Sequence, residues 1–420
     1  MIISYKTVSF LLFSRLILDV LYYLISSQIY AHQGFSADVS LYFLNLPISL
    51  LFVIPFLLND KRDNVSNYLI LILLIGILLP LSTLYTFGLA PLDWFLINLS
   101  SFLFITLMNN FLSTIKFKIS SFENSSLFEL VFYSFYIIST IVFFIRYGFN
   151  INFDLLAITS DLVYSQRADF KSMGSAGYLI MTFFTLGTPL LFAYSIIYRK
   201  FFLTTISLLL GMMIYSTSSE KSLLFTFALY FGIIIIGKIS NHFQQINYIK
   251  GYIFITIVAS LLFFVNPLLS GLFINRLIFV PQLVSLSYYN YFQKYDYSYF
   301  LDTSLFSSIF GKSYHTDLPR EIGRTFFDVE SSANTGLISD GYAKLGIIGV
   351  VIVVIVFLVV LKIVDSFSYG KNLFFVQLIM TYSVFTLINS SIFTAFLTSG
   401  LLFSLLLVFI LPKNYYGYKI

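Results

Sequence analysis

The chain has 420 residues, of which 58% are hydrophobic and only 10% charged, whereas about a quarter of the residues of a soluble domain are charged. Its mean hydropathy of +0.90 therefore predicts a protein that crosses a membrane several times. The absence of cysteine excludes disulfides, thiolate nucleophiles and cysteine metal sites, and three scattered histidines leave little for a zinc site. The net charge of +5 does not indicate nucleic acid, because in a membrane protein basic residues are interpreted by their position relative to the bilayer.

Apolar segments of about 20 residues, the length that crosses a bilayer as a helix, recur along the whole chain. They predict an all-α fold, a polytopic transmembrane bundle of about 12 helices that forms a single integral membrane domain over residues 1–420. The predicted spans are 8–30, 39–58, 67–89, 92–112, 126–148, 174–198, 201–216, 222–240, 251–267, 346–364, 372–390 and 392–411.

The distribution of lysine and arginine predicts the orientation of these helices. Every connection that faces the cytoplasm when the N-terminus is cytoplasmic carries a basic residue, as the positive-inside rule requires. Both termini are therefore expected in the cytoplasm. Two polar loops are then expected outside, a smaller one at 149–173 and a large one at 268–345 between predicted helices 9 and 10.

The large loop has two parts. Residues 272–293 have apolar side chains at near-helical spacing, together with tyrosines suited to an interface, which predicts an amphipathic helix lying at the membrane surface. Residues 308–349 are rich in Gly, Pro, Ser and mixed charge, which predicts ordered but irregular structure.

Arginines of the two outward loops are the first candidates for an anion site, because a guanidinium offers planar donors matched to phosphate or carboxylate. The four that could converge on one anion are Arg167, Arg276, Arg320 and Arg324. The alternative is that each pairs with a neighbouring carboxylate or a lipid headgroup. That alternative is weaker for Arg276, which has no acidic residue within ten positions.

Other ionisable groups also suggest chemistry. Lys221 follows a run of Ser and Thr at the predicted start of a helix, where an oxyanion could bind, although a simple N-cap is equally compatible. His315, beside Asp317, could act as a base, with Glu321, Glu330 and Asp340 as rivals. Such a loop histidine is more often merely solvated.

Arg15 and Asp19 are four residues apart on the first predicted span, the spacing of an ion pair within a helix. Intramembrane charges are often functional. A pair that neutralises itself is, however, more often structural.

Several loose motifs lie between Tyr164 and Val350. They are Arg276-Leu277 with Pro281, the run Ala333-Asn334-Thr335-Gly336-Leu337-Ile338-Ser339-Asp340-Gly341-Tyr342-Ala343 followed by Leu345-Gly346 and Gly349, and Ser219-Glu220-Lys221-Ser222. Together with the dozen helices and the large outward loop, they resemble the Wzy-type O-antigen or capsular repeat-unit polymerases of bacteria.

This resemblance implies a GT-C-like bundle in the bacterial inner membrane that acts as a glycosyltransferase at its periplasmic face. The substrate would be an undecaprenyl-pyrophosphate-linked glycan in the membrane lipid, and a chain-length regulator and a flippase would be partners. Transfer would be metal-independent and need no cofactor, with arginines stabilising the departing pyrophosphate. The candidate catalytic residues for this reaction are Arg276, Arg167, Lys221, His315 and Glu321, and the candidate substrate-binding residues are Arg320, Arg324, Asn334, Asp340, Tyr342 and Tyr288.

Three alternative functions remain open. A lipid-linked oligosaccharide flippase or another transporter usually has internal repeats and charges along a central path, and the sequence has no visible repeat. An O-antigen ligase would share the architecture. A scaffold without enzymatic activity is the third alternative.

Overall fold

The structure, a computed structural model, describes most of the chain. The described residues are 5–59, 64–114, 125–148, 182–218, 221–239, 245–303, 309–311, 317–327 and 332–413. Within these ranges all regular structure is helical, which confirms the prediction of an all-α fold.

Fifteen helices are numbered here within the described ranges. The first nine are α1 (Tyr5–Ile29), α2 (Val39–Leu58), α3 (Val65–Thr86), α4 (Leu92–Phe111), α5 (Ser125–Tyr147), α6 (Thr188–Ile197), α7 (Phe201–Ser218), α8 (Lys221–Ile239) and α9 (Gln245–Val265). The remaining six are α10 (Val280–Phe292), α11 (Leu318–Phe327), α12 (Leu337–Phe367), α13 (Leu373–Phe385), α14 (Ile392–Leu397) and α15 (Leu401–Ile410).

Seven of these helices, α1 to α5, α9 and α12, are long and apolar enough to cross a bilayer. These helices differ in how far they are buried, which is typical of a membrane bundle. In an 18-residue apolar stretch, 83% of the residues are buried in α3 but only 22% in α9. Large side chains of α9 such as Phe254 and Phe264 are exposed, which suits contact with lipid. The protein is therefore an all-helical membrane protein.

One predicted span is wrong as a continuous helix. Residues 392–411 divide into α14 and α15, and Gly400 between them has a φ of 72°. This left-handed conformation, which glycine adopts easily, interrupts the helix. Hydropathy alone does not register such a break, because both halves are apolar.

The described chain divides into two compact units. The first comprises Met1–Thr114, Gln244–Ile363 and Phe385–Ile392, and the second comprises Ile115–Phe243, Val364–Val384 and Phe393–Ile420. In the second unit the Ser383 and Ser404 hydroxyls are 3.0 Å apart and join α13 to α15. Lys371 Nζ donates to the carbonyls of Val408 and Phe409 and so caps the C-terminal end of α15.

Hydrogen bonds define one end of the first unit. Gln245 at the start of α9 donates to Phe56 O near the end of α2 (3.0 Å). The Asn109 amide near the end of α4 donates to Asn67 Oδ1 near the start of α3 (2.9 Å). Lys362 of α12 donates to Asn109 O (2.7 Å). The helix ends that these residues mark therefore lie together.

The opposite end of the first unit holds the long region between α9 and α12. There Asp38 N, before α2, donates to Phe87 O, after α3 (3.0 Å). Trp94 at the start of α4 stacks on Tyr289 of α10, with ring centroids 5.0 Å apart. The candidate residues of this region therefore lie at the end away from Lys362.

The large loop contains more regular structure than the sequence predicts. Residues 272–293 are indeed helical, formed by a π-helical segment, Leu272–Phe279, and α10. Pro281–Tyr289 is buried throughout, however, so this helix packs inside the first unit and the predicted surface location is wrong. The irregular structure predicted for 308–349 is also wrong in part, because α11 and the first part of α12 are helices.

A π-helical turn at Leu74–Leu78 interrupts the middle of α3. Such turns widen a helix by one residue and release backbone groups from the regular hydrogen-bond pattern. The carbonyl of Gly76 within this turn accepts a hydrogen bond from Gln282 Nε2 of α10 at 3.0 Å. The π-turn therefore anchors α10, with Gln282 buried, against the centre of the bundle.

Candidate functional site

Helix α11 is strongly amphipathic. Leu318, Ile322 and Gly323 are buried, whereas Arg320 and Arg324, one turn apart on the same face, are exposed. Arg320 Nε lies 3.3 Å from Asp317 Oδ2, and both side chains are more than half exposed. The helix thus presents two guanidinium groups on its outer face.

Helix α11 is joined to α10 through the segment that precedes α12. Ala333 N donates to Pro319 O (2.9 Å), and the hydroxyl of the buried Tyr288 of α10 donates to Ala333 O (2.9 Å). Asn334, the next residue, is exposed. Tyr288 therefore holds α11 and the start of α12 together.

The surroundings of Tyr288 also change the pKa of its hydroxyl. Burial raises the pKa of its hydroxyl well above the usual range, and the carboxylates of Asp340, Asp302 and Asp317 raise the pKa further. These three carboxylates therefore add to the effect of burial in keeping the Tyr288 hydroxyl protonated.

Helix α12 is broken after its first eight residues. Leu345 has φ −150° and ψ 28°, and Gly346 has φ 62° and ψ −140°, a conformation that residues with a side chain rarely adopt. The two parts meet at Gly341 and Gly349, where a Cβ on Gly349 would lie 1.9 Å from Gly341 O. The break turns residues 337–344 away from the axis of residues 347–367.

Two carboxylates and one ammonium group are buried together beside this break. Lys344 Nζ lies 2.5 Å from Asp302 Oδ2 and 3.3 Å from Asp340 Oδ1. The side chains of Lys344, Asp340 and Asp302 are 1%, 8% and 14% exposed. Asp340 Oδ2 is buried and has no hydrogen-bond partner in the described part of the chain. We call these three residues the Asp-Lys-Asp cluster.

The segment that carries Asp302 is fixed to the end of the short first part of α12. Ser298 N and Tyr299 N donate to the carbonyls of Ala343 (2.9 Å) and Lys344 (3.0 Å), which are terminal acceptors of that helical part. Ser298 Oγ donates to Asp302 Oδ1 (2.9 Å). Residues 298–302 therefore cap the helix and position Asp302.

An aromatic group packs around Tyr342 in the first part of α12. Trp94 contacts Tyr289 and Tyr342, with ring centroids 5.0 and 5.6 Å apart, and Gln293 Nε2 donates to the Tyr342 hydroxyl (2.6 Å). Trp94, Tyr289 and Tyr342 are almost fully buried. The substrate-binding role predicted for Tyr342 and Tyr288 thus falls on two buried rings whose hydroxyls already have partners.

The other predicted residues are placed as follows. Arg276 is exposed on the segment Leu272–Phe279 and makes no ion pair with a carboxylate of the described chain. Glu321 is half-buried on α11. Lys221 begins α8, but its side chain, like Arg167 and His315, lies outside the described residues. Of the predicted residues, Arg320, Glu321 and Arg324 share α11, which is linked through Ala333 to Tyr288 of α10 and to the segment that carries Asn334.

A second buried ionic group lies in the first unit. Arg15 forms an ion pair with Asp19, as their spacing predicts. Arg15 also donates to the Ser82 and Thr86 hydroxyls of α3, at 2.8 and 2.5 Å. The Tyr42 hydroxyl of α2 donates to Asp19 Oδ2 (2.9 Å). The pair therefore joins α1, α2 and α3.

Two members of the Asp-Lys-Asp cluster, Lys344 and Asp302, are not among the residues predicted from the sequence. Lys344 stands four residues after Asp340, the spacing of a helical ion pair, and this signal was available. Asp302 lies 42 residues before Lys344, so no local spacing connects them. Within the described residues no group of three or more His, Cys, Asp or Glu side chains is arranged to hold a metal ion.

Comparisons with known proteins do not identify the chain. No family model matches it, and no curated protein and no solved structure matches it either.

Proposed function

We propose that the chain is a glycosyltransferase that polymerises undecaprenyl-pyrophosphate-linked oligosaccharide repeat units into O-antigen or capsular polysaccharide. It would lie in the bacterial inner membrane with about twelve spans, both termini in the cytoplasm and the site at the periplasmic face. The observation that carries the proposal is the pair Arg320 and Arg324, exposed one turn apart on α11 at the end of the first unit where α10 and the start of α12 also meet.

Pyrophosphate recognition is the task that these residues suit. A lipid-linked pyrophosphate lies at headgroup level, where a guanidinium keeps its charge and matches phosphate oxygens in pairs. Arg320 and Arg324 present such groups on one face, and the exposed Arg276, without an ion pair to a described carboxylate, offers a third. Stabilising the departing pyrophosphate needs preorganised positive charge, and the buried apolar face of α11 supplies the rigidity.

The transfer step requires a hydroxyl of the acceptor sugar to attack the anomeric carbon that carries the pyrophosphate. The carbon–oxygen bond to the carrier breaks, undecaprenyl pyrophosphate leaves, and a base accepts the hydroxyl proton. Glu321 on α11, beside Arg320 in sequence and only half-buried, is the described carboxylate that we assign to this role. His315 remains its predicted rival.

Deletion of the gene and a gel of the surface glycan test the proposed reaction. The expected result is loss of the polymer ladder with a single repeat unit still attached to its acceptor, because flipping and ligation survive. Loss of all surface glycan would contradict polymerisation.

Complementation with variants tests the residues. The double variant Arg320→Ala/Arg324→Ala should abolish the ladder at unchanged protein level, and Arg320→Lys/Arg324→Lys should rescue it poorly because the planar fork is lost. Lys294→Ala, which removes an exposed cation after α10, is the matched control and should retain the ladder. An equal loss of the ladder in this control would mean that the effect depends only on the total positive charge of the region. A full ladder in Arg276→Ala would remove Arg276 from the site.

A transporter of lipid-linked oligosaccharide is the second candidate. The broken α12 and the buried Asp-Lys-Asp cluster favour it, since discontinuous helices and buried charges are common in transporters. For this function the same deletion should accumulate repeat units on the cytoplasmic side and leave no glycan on the surface.

A further inference from the structure

The Asp-Lys-Asp cluster contains one more negative than positive charge. Asp302 and Asp340 share the single ammonium group of Lys344. In the described part of the chain no other cation forms an ion pair with either carboxylate. The shorter contact is with Asp302, so Asp340 is the less compensated of the two.

The contacts of the Asp340 carboxylate indicate where an additional positive charge would bind. Asp340 Oδ1 faces Lys344, but Asp340 Oδ2 is buried and has no hydrogen-bond partner among the residues that the structure describes. A buried carboxylate oxygen without a partner is unfavourable, and an unbalanced buried charge is more unfavourable still. A neutral donor such as water would satisfy the hydrogen bond but would leave the charge unbalanced.

We propose that Asp340 Oδ2 binds one small monovalent cation, a proton or Na⁺, which balances the charge of the Asp-Lys-Asp cluster. The proposal does not depend on the proposed function, because it follows from the charges and contacts of the cluster alone. It adds a cation site to the first unit, built from α12 and the segment 298–302.

The groups around Asp340 come from three elements. Lys344 lies one turn further along α12, and Asp302 approaches from the segment 298–302. Tyr288 of α10 interacts electrostatically with Asp340, and its hydroxyl donates to Ala333 O. Asp317, before α11, adds a further negative charge near Tyr288. Apart from Lys344, the neighbours named here are acidic or neutral, so the surroundings favour an added cation.

Occupancy of the site should change how firmly residues 298–302 are held. With the cation bound, Lys344 is free to pair fully with Asp302; without it, Lys344 is shared between two carboxylates. Tyr299 and Phe300 in this segment have φ of 50° and 67°, an unusual conformation for residues with a side chain. The segment is thus held in place by contacts, among which the Lys344–Asp302 pair is central.

A single fluorescent label reports this change without background, because the chain has no cysteine. Tyr299, which is 56% exposed, is replaced by Cys and labelled in the full-length purified protein. The fluorescence is followed in a pH titration with choline as the only other cation, and in a Na⁺ titration at fixed pH. We expect a saturable change for one of the two cations. A response to Na⁺ at fixed pH identifies a sodium site, and a response to pH alone identifies a proton site.

Variants connect the response to the cluster. Asp340→Asn should abolish it, and Asp302→Asn should abolish it too, because the remaining Lys344–Asp340 pair is neutral. Having two variants keeps the test valid if one of them fails to fold. Asp93→Asn, which neutralises an exposed carboxylate at the same end of the first unit, is the control and should respond as the parent does. No response to either cation, or a response that persists in Asp340→Asn, would overturn the proposal and leave a neutral donor at Oδ2.

Discussion

Two buried ionic groups in the first unit differ in their balance. The Arg15–Asp19 group has one charge of each sign, and its remaining polar contacts go to Ser82, Thr86 and Tyr42 on two other helices. The Asp-Lys-Asp cluster has an excess carboxylate, and its atom Asp340 Oδ2 has no partner within the described ranges. The first group is neutral and links three helices, whereas the second group lacks one positive charge until a cation binds.

The two groups also differ in their backbone setting. Arg15 and Asp19 lie on a helix that continues past them, but Asp340 and Lys344 lie on a short helical part that ends at the Leu345–Gly346 break. A continuous helix fixes charges by its regular spacing. A broken helix allows charges from distant segments, here Asp302, to approach its end.

Removing one partner of the balanced pair should give the largest effect. Arg15→Met leaves Asp19 buried without compensation, and we expect a loss of about 3–5 kcal/mol of unfolding free energy. Thermal unfolding of the purified protein in detergent measures it. The double variant Arg15→Met/Asp19→Asn retains an acceptor for Tyr42 and should recover most of the loss. Equal losses in the single and double variants would show that packing of the arginine stem, not charge, is decisive.

Removing the only cation of the unbalanced cluster should have a somewhat smaller effect. Lys344→Met leaves two carboxylates facing each other, but Asp302 retains some contact with solvent, so we expect a loss of roughly 2–4 kcal/mol by the same unfolding measurement. Asp340→Asn, which leaves the Lys344–Asp302 pair intact, should cost less than about 1 kcal/mol. If Asp340→Asn destabilises the protein as strongly as Lys344→Met, Asp340 is not an excess carboxylate and its negative charge is needed in the cluster.

The break in α12 can be tested through its glycine. Gly346→Ala places a side chain at φ 62°, with its Cβ 2.7 Å from the Tyr297 hydroxyl, and should cost about 1–3 kcal/mol. Gly232→Ala is the control, because Gly232 lies within α8 with open space at its Cβ position. That control should be neutral or slightly stabilising. A neutral Gly346→Ala would mean that the break does not need glycine.

The exposed pair on α11 should contribute least. Asp317→Asn removes the partner of Arg320 where both side chains are more than half exposed, so we expect a change within about 0.5 kcal/mol. Unfolding temperatures of parent and variant, compared at low and high salt, measure it. A larger loss would indicate that Asp317 acts through Tyr288 and the cluster.

The long spans were predictable because their signal is length. Predicted span 39–58 coincides with Val39–Leu58, and predicted span 92–112 with Leu92–Phe111, since a bilayer demands a fixed run of apolar residues. Predicted span 346–364 matches the second part of α12, after the Leu345–Gly346 break, and the sequence did not predict the short helical part 337–344 before that break. The buried Asp340 and Lys344 compensate each other partly, so their charges do not mark a solvent loop.

The candidate site was predictable only where its residues are neighbours in sequence. Arg320 and Arg324 are one turn apart, and Asp340 lies in a recognisable motif. Asp302 reaches Lys344 only because residues 298–302 bind back to the end of a broken helix, and the break depends on the backbone angles of Leu345 and Gly346. Neither hydropathy nor spacing encodes those angles.

The π-turn at Leu74–Leu78 acts as an insertion of one residue into α3. Each residue of an α-helix advances the helical phase by about 100°. The side chains after the π-turn therefore point in other directions than they would in an uninterrupted helix. Ser82 and Thr86, the acceptors of Arg15, lie after the turn. A chain shortened by one residue here would regain a regular helix but would turn both hydroxyls away from the guanidinium. The position of the balanced ion pair of α1 relative to α3 therefore depends on the single extra residue in the π-turn.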